Sequence, residues 1–255
     1  MDPELLVLVA GAFLAGAVDA VVGGGGLIQV PLLFAALPAV SPPSLFGTNK
    51  ISSIFGTSVA ALRYARSVAM PWRIILPAVV AALFLSYLGA MTVAVLPREW
   101  LRPIILGLLI GVAIHVLRRP ELGVEAADRA PRPSDPATAA GIGGALGFYD
   151  GFFGPGTGSF LIFLFVRVFG LDFLGASAAA KAVNWATNLG ALLYFLPHGH
   201  ALWSLGLAMA AFNIAGAWVG SHLALRHGSR FVRVIFLLVA SVLIAKFAYD
   251  TIVAY

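Results

Sequence analysis

The chain has no cysteine, so disulfides, thiolate ligands and cysteine nucleophiles are excluded. Charge is scarce as well. Only 11% of the 255 residues are Asp, Glu, Lys or Arg, less than half the share usual in soluble domains. Lysine is rarer still, with three in all, at Lys50, Lys181 and Lys246. No nucleotide-binding motif is present, so the chain carries no energy source of its own. The apolar and polar residues do not alternate with the period of two that a membrane β-barrel requires. The first apolar run lacks a basic leader and a small-residue cleavage site, and it reads as a mature helix rather than a signal peptide.

What remains is 60% hydrophobic. Several apolar runs reach the ~20 residues with which a helix crosses a bilayer. Lipid offers no partner to free backbone groups, so the spans must be helical. The sequence predicts apolar segments at 5–22, 27–37, 44–66, 71–96 and 100–117. After a hydrophilic linker they recur at 139–153, 159–169, 175–196, 202–225 and 231–253. The segments 27–37 and 159–169 are only about 16 Å long as helices, too short to cross alone.

The two halves are copies at a constant offset of 131 residues, as from Asp19 to Asp150. The offset pairs Gly16 with Gly147, Gly23 with Gly154, Gly25 with Gly156 and Lys50 with Lys181. Further on it pairs Trp72 with Trp203, Gly89 with Gly220 and Arg102 with Arg233. We read residues 1–118 as a first repeat, 119–138 as a linker and 139–255 as a second repeat. With an odd number of crossings per half, every arginine but Arg98 and Arg102 falls on one side. The positive-inside rule then makes the repeats inverted, the linker cytoplasmic and both termini external. The net charge of +5 is this loop arginine, and it does not point to nucleic acid. The expected fold is an all-α polytopic membrane protein. It has two inverted repeats, each a glycine-broken hairpin with about three full transmembrane helices, related by a pseudo-two-fold axis in the membrane plane.

Gly23, Gly24, Gly25 and Gly26 form a run that resists helix formation. Gly154, Gly156 and Gly158 with Thr157 form its counterpart. Broken backbone at membrane depth persists only where protein buries it or water reaches it. Matched breaks in two halves point to a transporter binding site. The helix that restarts after each break presents free N–H groups to an anion. Lys50 and Lys181 lie in apolar sequence, where an unpaired charge is costly. They pair within each half, with Asp19 and Asp150, or they face a substrate anion; the two roles are compatible. Thr48, Asn49, Ser52, Ser53, Asn184, Thr187 and Asn188 form polar faces beside the lysines, with Gln29 a weaker candidate. No metal or cofactor site is indicated: His115 and His222 are single, and His198 and His200 lack a third ligand. Trp72 and Trp203 read as interfacial anchors, and Lys246 as a snorkelling residue.

The run Gly16-Ala-Val-Asp19-Ala-Val-Val-Gly23-Gly-Gly-Gly26-Leu-Ile-Gln-Val-Pro31, followed by Gly47-Thr-Asn-Lys50, resembles the sulfite exporter TauE/SafE family. The second copy, Gly147-Phe-Tyr-Asp150-Gly-Phe-Phe-Gly154-Pro-Gly156-Thr-Gly158, is more degenerate, with Ala178-Ala-Ala-Lys181 in place of Gly-Thr-Asn-Lys. The resemblance covers nearly the whole chain. It implies a protein of the bacterial inner membrane that moves small sulfur-containing anions such as sulfite or organosulfonates, usually outward. The expected function is a secondary transporter with the anion held between the helix breaks, and with a proton or ion as coupling partner. The other classes weighed are a passive anion channel and an intramembrane serine protease using Ser177 and His222.

Overall fold

The computed structural model describes residues 3–96 and 132–253. The predicted span at 100–117, most of the linker, and Arg98, Arg102 and His115 lie outside the described residues, as does the side chain of Lys246. Among the described residues every regular element is a helix. Helix α1 is Pro3–Val22, α2 is Gly25–Ala36, α3 is Pro42–Ser67 and α4 is Trp72–Val95. After the linker come α5 at Asp135–Phe152, α6 at Thr157–Phe169, α7 at Phe173–Phe195 and α8 at Trp203–Val253. Helix α5 thus starts inside the 119–138 linker. Its first turn has Pro136, whose missing N–H costs nothing there. The predicted spans 202–225 and 231–253 are two helical stretches of α8, separated at Gly228, whose φ of 70° and ψ of −166° are not helical.

Helices α1, α4 and residues Trp203–Val232 of α8 are long and apolar enough to cross a membrane, among the described residues. They carry large apolar side chains outward, Phe84 at 64% and Val95 at 73% exposure being the extreme cases. Helices α3 and α7 are as long, at 26 and 23 residues, but carry the lysines and asparagines. Those polar side chains are buried, while Phe55 and Leu62 of α3 and Leu193 of α7 face outward, so α3 and α7 turn their polar faces to the interior.

The helices of one half pack on those of the other. A methyl placed on Gly143, Gly147 or Gly151 of α5 would come within 2.3, 2.6 and 1.9 Å of Ala78, Ala82 and Ser86 of α4. The matched steps of four residues mean that α4 and α5 run parallel and nearly touch backbones. This is how small residues draw membrane helices together without a hydrophobic driving force. Helices α1 and α8 make the equivalent contact: Gly216 meets the carbonyl of Phe13 and Gly220 that of Ala17, at 1.9 and 2.2 Å. The 131-residue offset relates the two seams, since Gly89 abuts Phe148 as Gly220 abuts Ala17. Within each half, α1 folds back on α2, with Asp19 beside Gly25 and Gly11 beside Leu32, and α5 folds back on α6, with Tyr149 against Phe160. Helix α3 runs parallel to α8, as Thr48 to Leu202 and Gly56 to Asn213 show. It runs antiparallel to α7, as Gly47 to Phe195 and Ser58 to Trp185 show.

Two substitutions on α5 separate packing from propensity. Gly141 has nothing within 4 Å of a would-be methyl among the described residues, so Gly141→Ala should leave the melting temperature unchanged or raise it, by a gain of up to about 1 kcal/mol. Gly151→Ala drives a methyl into the Ser86 carbonyl and should cost about 3 kcal/mol or more. Thermal unfolding in detergent reads both; equal effects would mean that the seam is not close-packed.

Candidate functional site

Each predicted break is present, and the first is shorter than the glycine run. Gly23 takes φ 76°, Gly24 caps α2, and Gly25 and Gly26 already lie in its first turn. The expectation of four non-helical glycines is therefore corrected to two. A glycine in a first turn costs little, and the Gly25 N–H donates to Asp19 Oδ1 at 3.4 Å. In the second half the chain leaves α5 through Phe153, with Gly154 at φ 98° and Gly156 at φ 86°. It enters α6 at Thr157, whose hydroxyl donates to the Gly154 carbonyl.

A helix end leaves four carbonyls without partners in the helix. At the end of α1 all four are satisfied. Asp19 O accepts from the Gly23 N–H at 2.8 Å. Ala20, Val21 and Val22 accept from the hydroxyls of Tyr64, Ser177 and Ser159, at 2.8, 2.8 and 2.7 Å. These hydroxyls come from α3, α7 and α6, so three helices hold the first break in place. Sequence reasoning did not assign this role to Tyr64 or Ser159, because only the fold brings them to a helix end. The second copy has Phe195 and Phe46 at the positions of Tyr64 and Ser177. There Phe46 packs edge-on against Phe153, and Tyr149 donates its hydroxyl to Pro155 O.

The two breaks cross in contact. A methyl on Gly23 would lie 2.2 Å from the carbonyl carbon of Gly158, and one on Gly26 would lie 3.2 Å from Pro155 Cα. This crossing overturns pairing of Asp19 with Lys50 and of Asp150 with Lys181. Lys50 Nζ donates to Asp150 Oδ2, and Lys181 Nζ donates to Asp19 Oδ2 at 3.0 Å. Both ion pairs join one half to the other. The physical cause is the close approach of the hairpin tips, which sets each terminal aspartate against the facing half. The pairs are deeply buried: Lys50 and Asp150 side chains are 3% exposed, Lys181 0% and Asp19 17%.

Between the pairs lies a cavity of about 20 Å³, enough for roughly one water molecule. It is lined by Asp19, Gly23, Gly26, Asn49, Lys50, Ser53, Asp150, Gly154, Gly158, Asn184 and Asn188. Among the described residues, two buried polar atoms of this wall have no hydrogen-bond partner, Asn49 Oδ1 and Asn188 Nδ2. Buried polar atoms normally find a partner, and these two lie on facing helices, α3 and α7. Other candidates are used elsewhere. Thr48 accepts from the Leu202 N–H and donates to Ser44 O. Gln29 donates to Ser52, and Asn213 of α8 donates to Gln29. Thr187 donates to Asn184. Gly24, Gly25, Gly156, Thr157 and Lys181 are not in the cavity wall, though Lys181 holds Asp19, which is.

The protease constellation does not form. The Ser177 hydroxyl is committed to Val21 O, while His222 stacks on Trp218 and contacts Arg63.

The sulfite exporter TauE/SafE family model matches residues 8–247 of the chain. The chain is 36% identical over 252 residues to the probable membrane transporter protein YfcA of Escherichia coli (strain K12), covering 98% of this chain and 92% of that one. It is 35% identical to the probable membrane transporter protein ORF9 of Sinorhizobium sp, over 96% and 93%. A probable membrane transporter protein of Haemophilus influenzae (strain ATCC 51907 / DSM 11121 / KW20 / Rd) is 33% identical, over 96% and 95%. No solved structure matches. These relatives are named as transporters and not as enzymes, and the chain is a membrane transporter that belongs to the sulfite exporter TauE/SafE family.

Proposed function

We propose that the protein is a secondary transporter that exports small sulfur-containing anions, such as sulfite or organosulfonates, and binds them between the two glycine breaks. The observation that carries this is the cavity at the crossing. It is walled by both breaks, holds a lysine, and includes the amide donor Asn188 Nδ2 of α7, unpartnered among the described residues. Lysine charge and amide N–H groups suit an oxyanion. The family description supplies the sulfur chemistry. At about 20 Å³ the cavity does not admit a sulfonate, so this conformation is closed and transport requires the halves to part.

The helix directions support an inverted repeat. The short turn 68–71 sets α4 back along α3, so α1, α3, α6 and α8 run one way, and α2, α4, α5 and α7 the other, and each element opposes its copy. These directions also gather Arg63, Arg66, Arg73, Arg132, Arg167, Arg226 and Arg230 at one end of the bundle, which supports a cytoplasmic linker in the bacterial inner membrane. Rocking of one half against the other would then expose the cavity to each side in turn.

Purified protein in liposomes should exchange labelled sulfite or a sulfonate in counterflow, with saturating flux, while acetate fails to compete. Linear flux without counterflow would indicate a channel. No flux of any sulfur anion would refute the assignment.

A further inference from the structure

We infer that Asp150 takes up a proton when an anion binds, and that this releases Lys50 to be the anion's ligand while the Lys181–Asp19 pair stays closed. The inference rests on the transport reading above and specifies its coupling. It starts from charge. Lys50 and Lys181 carry two positive charges, Asp19 and Asp150 two negative ones, and the rest of the cavity wall is Asn, Ser and Gly. The site is neutral before the anion arrives. An added anion would leave a net buried negative charge, which costs several kcal/mol in such surroundings. One proton per negative charge removes that cost.

The two carboxylates differ in what they would lose. Asp19 has a second donor, the N–H of Gly25 at the first turn of α2, where the helix dipole also favours a negative charge. Its side chain is the more exposed of the two, at 17%. Asp150 is 3% exposed, and among the described residues its donor is Lys50. Protonation of Asp150 therefore gives up one interaction, while protonation of Asp19 gives up two. The charged groups around Asp150 agree. Of the helices packed on α5, α4 carries only Arg73, in its first turn, α6 only Arg167, in its last turn, and α7 only Lys181, held by Asp19. Lys50 comes from α3, and Asp19 of α1 lies across the cavity. Of the tyrosines near Asp150, Tyr149 donates to Pro155 O and Tyr87 packs on Tyr194.

A freed Lys50 would already be in place. A methyl on Gly154 would lie 3.2 Å from its Nζ, so the second break abuts the ammonium. Among the described residues Asn188 Nδ2 is an unpaired donor in the same wall, and Asn49 can turn its amide to present a second. Lys181 is fully buried and absent from that wall.

The test is calorimetric titration of the full chain in detergent with methanesulfonate, whose own charge does not change with pH near neutrality. Sulfite serves as a second probe. Heats in buffers of different ionisation enthalpy count protons. The wild type should take up about one proton per methanesulfonate, with affinity rising up to about tenfold per unit fall in pH. Asp150→Asn should bind methanesulfonate without proton uptake and with little pH dependence, while Asp19→Asn should keep the uptake. Wild-type binding with no proton uptake would overturn the inference and leave the transport reading standing, and this count needs no variant to fold. Unchanged uptake in Asp150→Asn would overturn the choice of residue. If folded wild type binds neither anion, the transport reading fails and the inference with it.

Discussion

Lys50→Gln is expected to abolish transport and to lower stability by about 3–5 kcal/mol, because it leaves the Asp150 carboxylate buried without its counter-charge. The two effects have separate causes, and a second substitution divides them. Lys50→Gln with Asp150→Asn puts two neutral amides where the ion pair was. Folding should return to near the wild-type melting temperature, since no charge is left stranded. Transport should stay lost, since no ammonium remains to meet an anion. Recovery of transport in this double variant would reduce Lys50 to a structural partner. Lys50→Gln with Asp19→Asn should not restore folding, because that pair spans two different bridges. In double-mutant cycles Lys50 should couple strongly to Asp150 and negligibly to Asp19. The reverse ranking would contradict pairing across the halves. Lys181→Gln should cost less, because Asp19 keeps the Gly25 N–H and partial exposure.

Gly23→Ala should abolish accumulation of folded protein. Two penalties act at one atom. The residue has φ 76°, where an alanine is strained by about 1–2 kcal/mol. Its methyl would also lie 2.2 Å from the Gly158 carbonyl carbon and 2.6 Å from the Ser159 nitrogen. Those atoms are backbone at the start of α6, so no side-chain rotation makes room. Gly199→Ala is the control. Gly199 has φ 72° but nothing within 4 Å among the described residues, so only the conformational penalty applies. Size-exclusion profiles of detergent extracts should show a monodisperse peak for Gly199→Ala and none for Gly23→Ala. Equal recovery of the two would mean that the breaks do not touch.

The fold was legible in the sequence wherever a local pattern determined it. Apolar length placed α1, α4 and α8, and the glycine clusters placed both hairpin turns. The offset linked Asp19 to Asp150 and Lys50 to Lys181 correctly as copies. It could not say which aspartate each lysine meets, because a repeat relates positions within a pattern and contains no contacts. The within-half pairing rested on nearness in sequence, yet Lys50 reaches an aspartate 100 residues away and Lys181 one 162 residues away. The site was legible as a set of residue types. Asn49, Lys50, Gly154 and Asn184 do line the cavity, while Thr48 and Thr157 spend their hydroxyls on backbone groups. A threonine beside a lysine looks the same in either role. The hydroxyls of Tyr64 and Ser159 were illegible for the same reason: they act only once α3 and α6 lie against the end of α1.

The reciprocal bridges also set the order of events during synthesis. When the ribosome has delivered the first half to the bilayer, the partner of Lys50, 100 residues further along the chain than Lys50, is not yet made, and neither is the partner of Asp19, 162 residues further along than Asp19. The face of α1 that receives Gly216 and Gly220 likewise waits for α8. The nascent first half thus holds two uncompensated charges and an unfilled packing surface, and water or the insertion machinery must shelter them. Neither half is expected to fold on its own. Separately expressed halves should each be degraded, while co-expression should let them assemble, with the lysine of each fragment closing on the aspartate of the other.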